Sequence, residues 1–280
     1  MQYDDKKRND RRLVMNIIDA HIHFCPGEDD FRVLAEQAGH AYTEAHLRET
    51  FARLGVVRAV VMGNGAPGGL PAYPAFLRYC VGLDRGWDGL GERQLAEEVE
   101  RHLRRPACAG IKLYPGYHHR YVGDRRYAPL YELAAHYGKP VAIHTGATAG
   151  GMGLLKYAHP LTVDEAAVQF PQTTFVMCHF GNPWLTDAAA VMEKNRNVYA
   201  DLSGLLEGRV DLDALCRDNE GYFSLLRTWM AYANGYEKLM YGTDWPLVNL
   251  EQYLTLFLQL IPARWHEAVF YQTARRVYAL

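Results

Sequence analysis

No stretch of this chain approaches the roughly 18 consecutive apolar residues that a membrane-spanning helix requires. Cysteine pairing is also missing. The five cysteines, Cys25, Cys80, Cys108, Cys178 and Cys216, are scattered and odd in number, with no Cys-x-x-Cys among them. That favours free thiols in a reducing cytoplasm over a disulfide framework. Neither sign of charge dominates: 30 Lys and Arg stand against 32 Asp and Glu, interspersed, for a net charge of -2. Nothing in that balance predicts nucleic-acid binding. The charged start, Met1 to Arg12, lacks a following apolar core and does not read as a secretion signal. Residues 1–16 are therefore expected to be a solvated tail, with Met15 an alternative start, and residues 17–280 one domain. There is no linker, repeat or low-complexity stretch after residue 16. The glycine-rich run Gly146 to Gly153 lacks the Gly-Lys-Ser/Thr ending of a phosphate cradle and reads as a substrate-covering loop.

What is present is an alternation of short apolar runs with helical patterns. Strands are expected at Asn16–His23, Val56–Met62, Phe76–Leu83, Gly110–Tyr114, Val141–His144, Thr174–His179, Val198–Ser203 and Leu239–Asp244. Helices are expected at Glu44–Leu54 (N-cap Thr43, closed by Gly55), Gln94–Arg105, Tyr127–Tyr137, Trp184–Glu193, Asp211–Ala233, Leu250–Leu260 and Pro262–Tyr278, with one more opened by a Thr162-x-x-Glu165 capping box. Strands alternating with helices imply parallel β-α units, and eight of them close a barrel. The expected fold is α/β, a single (β/α)8 TIM barrel. Its Gly- and Pro-rich connection Gly63 to Pro74, between strands two and three, is too short for a full helix.

In such a barrel the active site lies at the C-terminal strand ends. The polar residues fall there: His21 and His23 on strand one, Lys112 and Tyr114 on four, His144 on five, His179 on six, Asp201 and Ser203 on seven, Asp244 on eight. In a strand, alternate side chains share a face, so His21 and His23 project together. By the same alternation Ala142 and His144 face inward, and His179 shares a face with Phe175 and Met177. Gly242 shares a face with Asp244 and leaves room beneath its carboxylate. An isolated His-x-His is more often a pair of core histidines than a metal clamp. Three histidine-bearing strand ends and an aspartate converging on one point reverse that weighting. Imidazoles plus a carboxylate suit zinc and other first-row divalent ions, so His21, His23, His144 and Asp244 are the expected metal ligands.

The motifs Ile18-Asp-Ala-His-Ile-His23, Gly110-Ile-Lys-Leu-Tyr-Pro115, Ala142-Ile-His-Thr-Gly146, Cys178-His-Phe-Gly181, Asp201-Leu-Ser-Gly204 and Tyr241-Gly-Thr-Asp-Trp-Pro246 run in order from about residue 17 to the C-terminus. With them the chain resembles the amidohydrolase superfamily, in the branch that also holds aminocarboxymuconate-semialdehyde-type decarboxylases. The resemblance implies that His21, His23, His144 and Asp244 bind one divalent ion, zinc first. Asp244 would also take a proton from the attacking water. His179 would be the catalytic imidazole, acting protonated on the substrate carbonyl, or a ligand of a second ion bridged by a carboxylated Lys112. The implied activity is metal-dependent hydrolysis of an ester, lactone or amide bond of a small molecule. The alternative is metal-dependent non-oxidative decarboxylation of an unsaturated or aromatic carboxylic acid. A third reading, a barrel that binds without turnover, conflicts with the intact set of ligands and His179. The chain departs from the family pattern in its reduced connection between strands two and three, and in Thr273-Ala274 where Asn-Ala is frequent.

The remaining residues leave alternatives open. Lys112 could bridge as a carbamate, contact substrate, or serve structure through Asp201. Tyr114 and Arg120 are candidate substrate contacts, Arg120 for a carboxylate, and Tyr117, His118 and His119 could line the mouth or form an ordinary polar loop. Asp201 either orients a ligand histidine or is structural. Asp19 is expected to face away from His21 unless the strand bends, making a structural hydrogen bond rather than a metal bond. Trp184 and Trp245 are pocket walls or packing residues. The expected partner is a small-molecule substrate, with no nucleic acid and no membrane. A homo-oligomer is compatible with such a barrel, but the sequence reveals no interface.

Overall fold

The computed structural model describes residues 15–25, 29–84 and 86–280. Most of the expected tail, and Pro26-Gly27 in the turn after the first strand, lie outside the described residues. Eight strands form one sheet in sequential order: β1 (Ile17–Ile22), β2 (Val56–Met62), β3 (Leu77–Leu83), β4 (Cys108–Leu113), β5 (Val141–Ile143), β6 (Phe175–Met177), β7 (Val198–Asp201) and β8 (Leu239–Met240). Every ladder is parallel. β8 is short, and the chain after it closes the barrel. Ala20 N donates to Tyr241 O, Asp244 N to His21 O and His23 N to Trp245 O, and Ile22 bridges Trp245. The fold is the expected TIM barrel.

Two apolar layers follow from the strand alternation. Ile18, Ala20, Val60, Cys80, Ala142, Val176, Cys178 and Met240 fill the barrel interior, with Val277 and Tyr278 among them. Val61, Val81, Ile111, Val141, Ile143, Phe175 and Met177 face the surrounding helices. Ala142 is inward as expected. Phe175 and Met177 are outward, so strict alternation would carry His179 outward with them. It turns inward because the chain leaves β6 through a tight turn in which His179 and Phe180 take left-handed backbone angles, φ 61° and 45°. The common face expected for these three residues is thus corrected by the turn. In β1 a bulge lies between Asp19 and Ile22. Asp19 faces away from His21 as expected, but because of this bulge: residues two apart in a regular strand share a face. The Asp19 carboxylate accepts from His21 N, Thr243 N and Thr243 Oγ1, a structural pin between the first and last strands.

Helices cover the barrel at 29–37, 44–54, 92–103, 128–136, 161–169, 185–194, 212–218, 220–231, 250–260 and 273–277. Thr43 caps its helix by accepting from His46 N, and Gly55 ends it at φ 79°, as expected. The Thr162-x-x-Glu165 capping box does not form. That helix begins at Leu161, one residue before Thr162, and the Thr162 hydroxyl donates instead to His159 O. Among the described residues the β2–β3 connection carries no helix. The two strands instead run close together: a Cβ on Gly82 would sit 1.4 Å from Gly63 O. Because that neighbour is backbone, Gly82→Ala is expected to destabilise the protein by about 3 kcal/mol or to prevent folding, measured as a lowered denaturation midpoint.

Candidate metal centre

His21 and His23 leave β1 at its C-terminal end and meet Asp244 from the far edge of the sheet. His21 Nε2 lies 3.3 Å, and His23 Nε2 3.2 Å, from Asp244 Oδ1. Asp244 reaches this position with a left-handed backbone, φ 66°. Two of these atoms, His21 Nε2 and Asp244 Oδ1, are buried without a hydrogen-bond partner among the described residues. Buried polar atoms are rarely left so. Ligands about 2.1 Å from one tetrahedral ion stand about 3.4 Å apart, close to the spacing found. The three donors therefore fit a divalent cation.

The other nitrogen of each imidazole is already engaged, which leaves Nε2 as the atom turned toward a cation. His21 Nδ1 lies 3.0 Å from Asp201 Oδ2, and His23 Nδ1 lies 2.8 Å from Asn64 Oδ1. Such partners orient ligand histidines and raise their basicity. Asp201 is wholly buried, and burial alone would raise its pKa. The His21 ring, by charge and hydrogen bond, outweighs this and holds the carboxyl far below its ordinary value. Burial acts the same way on Asp244, and His21, His23 and His179 together bring it well below the carboxylate range. Both are carboxylates at neutral pH. Burial and Lys112 work against an imidazolium at His21, but Asp201, Cys178 and Asp244 hold its pKa well above the ordinary histidine value.

His144 does not join the three donors. Its Nδ1 is 3.1 Å from His179 Nε2, and its Nε2 is 3.0 Å from Ala147 O. The expected fourth ligand is thus turned away by two hydrogen bonds of its own. His179 Nδ1 in turn faces Ser203 Oγ at 2.9 Å, Ser203 O at 3.1 Å and Asp244 Oδ2 at 3.9 Å. Burial lowers His179 to about 4, so it is neutral, which corrects the expectation of a protonated imidazole. His144 is lowered well below the ordinary value by burial and by His179. A second donor group is formed by His21, His179 and Asp201.

A cavity of about 380 Å³ opens onto these groups, lined among others by His23, Phe31, Asn64, Tyr114, Tyr117 and His179. Tyr114 is where a substrate contact was expected, its hydroxyl tied to Gly63 O. Lys112 and Arg120 are not in the lining. Lys112 is fully buried beneath the site and donates to Cys178 Sγ at 2.8 Å. Arg120 is drawn away by Asp88 and Asp124, each at 3.5 Å. Both substrate-contact expectations are corrected by these partners. His118 pairs with Asp88, and His119 bonds Met152 O, so neither reaches the cavity lining. Trp245 is wholly buried and stacks on Tyr42, while Trp184 lies over His159, and both are packing residues. Gly204 forms part of the cavity wall: a Cβ there would meet Asp244 Oδ2 at 2.8 Å and His179 Nδ1 at 2.9 Å. Asn64 was not foreseen. It follows β2 as the other polar residues follow their strands, but the Gly- and Pro-rich run around it masked the signal.

The sequence matches the family model described as Amidohydrolase over residues 18–280. The chain belongs to the amidohydrolase family. None of the curated proteins matches it. Among solved structures, this amidohydrolase is similar to an uncharacterised TIM-barrel protein from Bordetella bronchiseptica, with a TM-score of 0.72, 20% identity, and coverage of 95% of this chain and 99% of that one. A probable 2-pyrone-4,6-dicarboxylic acid hydrolase from Acinetobacter baumannii, with citric acid bound, gives 0.60 and 13% identity over 95% and 100% of the two chains. A 5-carboxyvanillate decarboxylase from Novosphingobium aromaticivorans, complexed with manganese and 4-hydroxy-3-methoxy-5-nitrobenzoic acid, gives 0.62 and 13% over 95% and 96%. At these identities the likeness is one of fold. Among the described residues no helix is long and apolar enough to cross a membrane.

Asn64→Leu keeps the side chain's bulk and removes both of its polar atoms. It is expected to weaken divalent-ion affinity by about 10–100-fold, read by titrating the chelator-treated protein with zinc, while the denaturation midpoint stays close to that of the parent.

Proposed function

We propose that this amidohydrolase is a divalent-metal hydrolase that cleaves an ester, lactone or amide bond of a small molecule with an activated water. One observation carries the reading: His21 Nε2 and Asp244 Oδ1, buried and without a hydrogen bond among the described residues, face each other at 3.3 Å, with His23 Nε2 3.2 Å from the same oxygen. An ion held by His21, His23 and Asp244 would supply Lewis acidity, polarising a carbonyl and bringing the pKa of water from 15.7 to about 7. The imidazole and carboxylate donors suit zinc.

The chain's own groups supply the proton path. Asp244 is ionised, and its Oδ2, on the side of His179, is placed to take a proton from the attacking water. His179 Nδ1, 3.9 Å from that oxygen, is placed to carry the proton on to the leaving group. His144 and Ser203 hold the ring in the orientation that makes this possible. Geometry of this kind is what general acid–base catalysis requires.

Hydrolysis is favoured over decarboxylation by the cavity lining. Among the described residues it contains no arginine or lysine, while Asp84 and Glu207 add negative charge. Among the described lining residues a substrate carboxylate meets no guanidinium or ammonium group. The five free cysteines support a reducing, cytoplasmic setting.

On a panel of lactones, esters, amides and aromatic or unsaturated carboxylic acids, the zinc-loaded protein is expected to release hydrolysis products without carbon dioxide. Carbon dioxide from the acids, with no hydrolysis elsewhere, would make it a decarboxylase. Chelation should abolish turnover, and zinc should restore it. Asp244→Asn should lower kcat by about 10²–10⁴-fold, and an undiminished rate would remove Asp244 from the proton path.

A further inference from the structure

A second cavity, of about 420 Å³, lies beside the metal centre in the room left by the missing β2–β3 helix. Its walls come from the connection itself, including Gly65, Ala66 and Tyr73, from Tyr79 on β3, and from Trp87 and His102 beyond it. One thickness of backbone separates it from the metal pocket. Gly63 and Gly65 line this cavity, whereas Asn64 between them lines the other.

The chemistry of the walls is uniform. None of the lining residues is Asp, Glu, Lys or Arg. The one histidine, His102, is held neutral by burial, which lowers its pKa. Tyr79 Oη is engaged with His102 Nδ1 at 3.1 Å, and Trp87 Nε1 donates to Gly65 O at 2.7 Å, so these aromatic walls are fixed in place. Tyr73 is different. It packs against Tyr79 and Phe24, and among the described residues its hydroxyl has no hydrogen-bond partner. A charged ligand would be desolvated here without compensation. A flat, apolar one would gain ring contacts on several sides. An apolar cavity of about 150 Å³ is enough for benzene, and ligand sites begin at about 300 Å³, so a two-ring molecule fits the volume.

We propose that this cavity is a binding site for an uncharged planar aromatic molecule bearing one hydroxyl or carbonyl group, distinct from the metal pocket, with Tyr73 as its polar contact. Such a site needs neither the metal nor the catalytic groups, so binding is separable from turnover.

The test uses 2-naphthol as probe and isothermal titration calorimetry on the full-length protein. Saturable binding at sub-millimolar concentration is expected, unchanged by chelation. Ala66→Trp and Gly65→Leu should each weaken it by about tenfold or more. Gly65 is suited to substitution because a Cβ there meets nothing within 4 Å. Leu247→Trp, which narrows the metal pocket, should leave it intact. Circular dichroism on each variant establishes that it is folded. No saturable binding by the folded parent protein would overturn the proposal. So would undiminished binding in both cavity variants, or loss of binding in Leu247→Trp with retention in Ala66→Trp.

Discussion

The Asp201 carboxylate is the constraint on which the site depends. It is wholly buried at the end of β7 and accepts from three directions: His21 Nδ1 on Oδ2, and His179 N and Ser203 N on Oδ1, with the Ser203 hydroxyl on the same oxygen. One side chain thereby fixes groups from the ends of β1, β6 and β7. Isolated, a buried charge would be very costly. Here its lone pairs are occupied and imidazoles surround it, with the Lys112 ammonium nearby, so it remains ionised and rigid. Its effect on His21 is to commit Nδ1 and leave Nε2 aimed at Asp244.

Around this point the barrel is irregular where chemistry requires it. β1 carries a bulge, β6 ends in a turn with two left-handed residues, and Asp244 is itself left-handed. Non-glycine residues in that region are uncommon and concentrate at functional sites. The bulge in β1 and the turn after β6 bring His21 and His179 toward the barrel axis, where regular alternation would have sent them outward. Asp19 and Thr243 stabilise the first and last of the three irregularities by tying β1 to the closing segment.

The surrounding charges also sort the residues into roles. Lys112 lies beneath the ligands rather than in the cavity, bonded to Cys178 and over the Tyr114 ring. Arg120 is held by two surface-side carboxylates. Among the described residues the carboxylates left in the lining are Asp84, Glu207 and Asp244, beside aromatic rings, imidazoles and small, aliphatic or amide side chains. The barrel thus gathers ligands for a cation at its mouth, and the connection without a helix between β2 and β3 borders a cavity whose lining holds no Asp, Glu, Lys or Arg.

The strand and helix alternation, the eight-fold count and the residues at the strand ends were legible in the sequence, because apolar periodicity and polar strand termini are local properties. β2 and the helix 250–260 have the expected bounds, and His21, His23 and Asp244 do converge. Periodicity does not report where it breaks. The turn that brings His179 inward and the bulge in β1 are such breaks, set where strands far apart in sequence meet. Pairing was likewise decided by the tertiary structure. Whether His144 meets the other donors or His179, whether Lys112 meets substrate or Cys178, and whether Arg120 meets substrate or Asp88 depend on which partner is nearer once the chain is closed. Asn64 makes the same point: its neighbours in sequence read as loop, and only the fold sets its amide against His23.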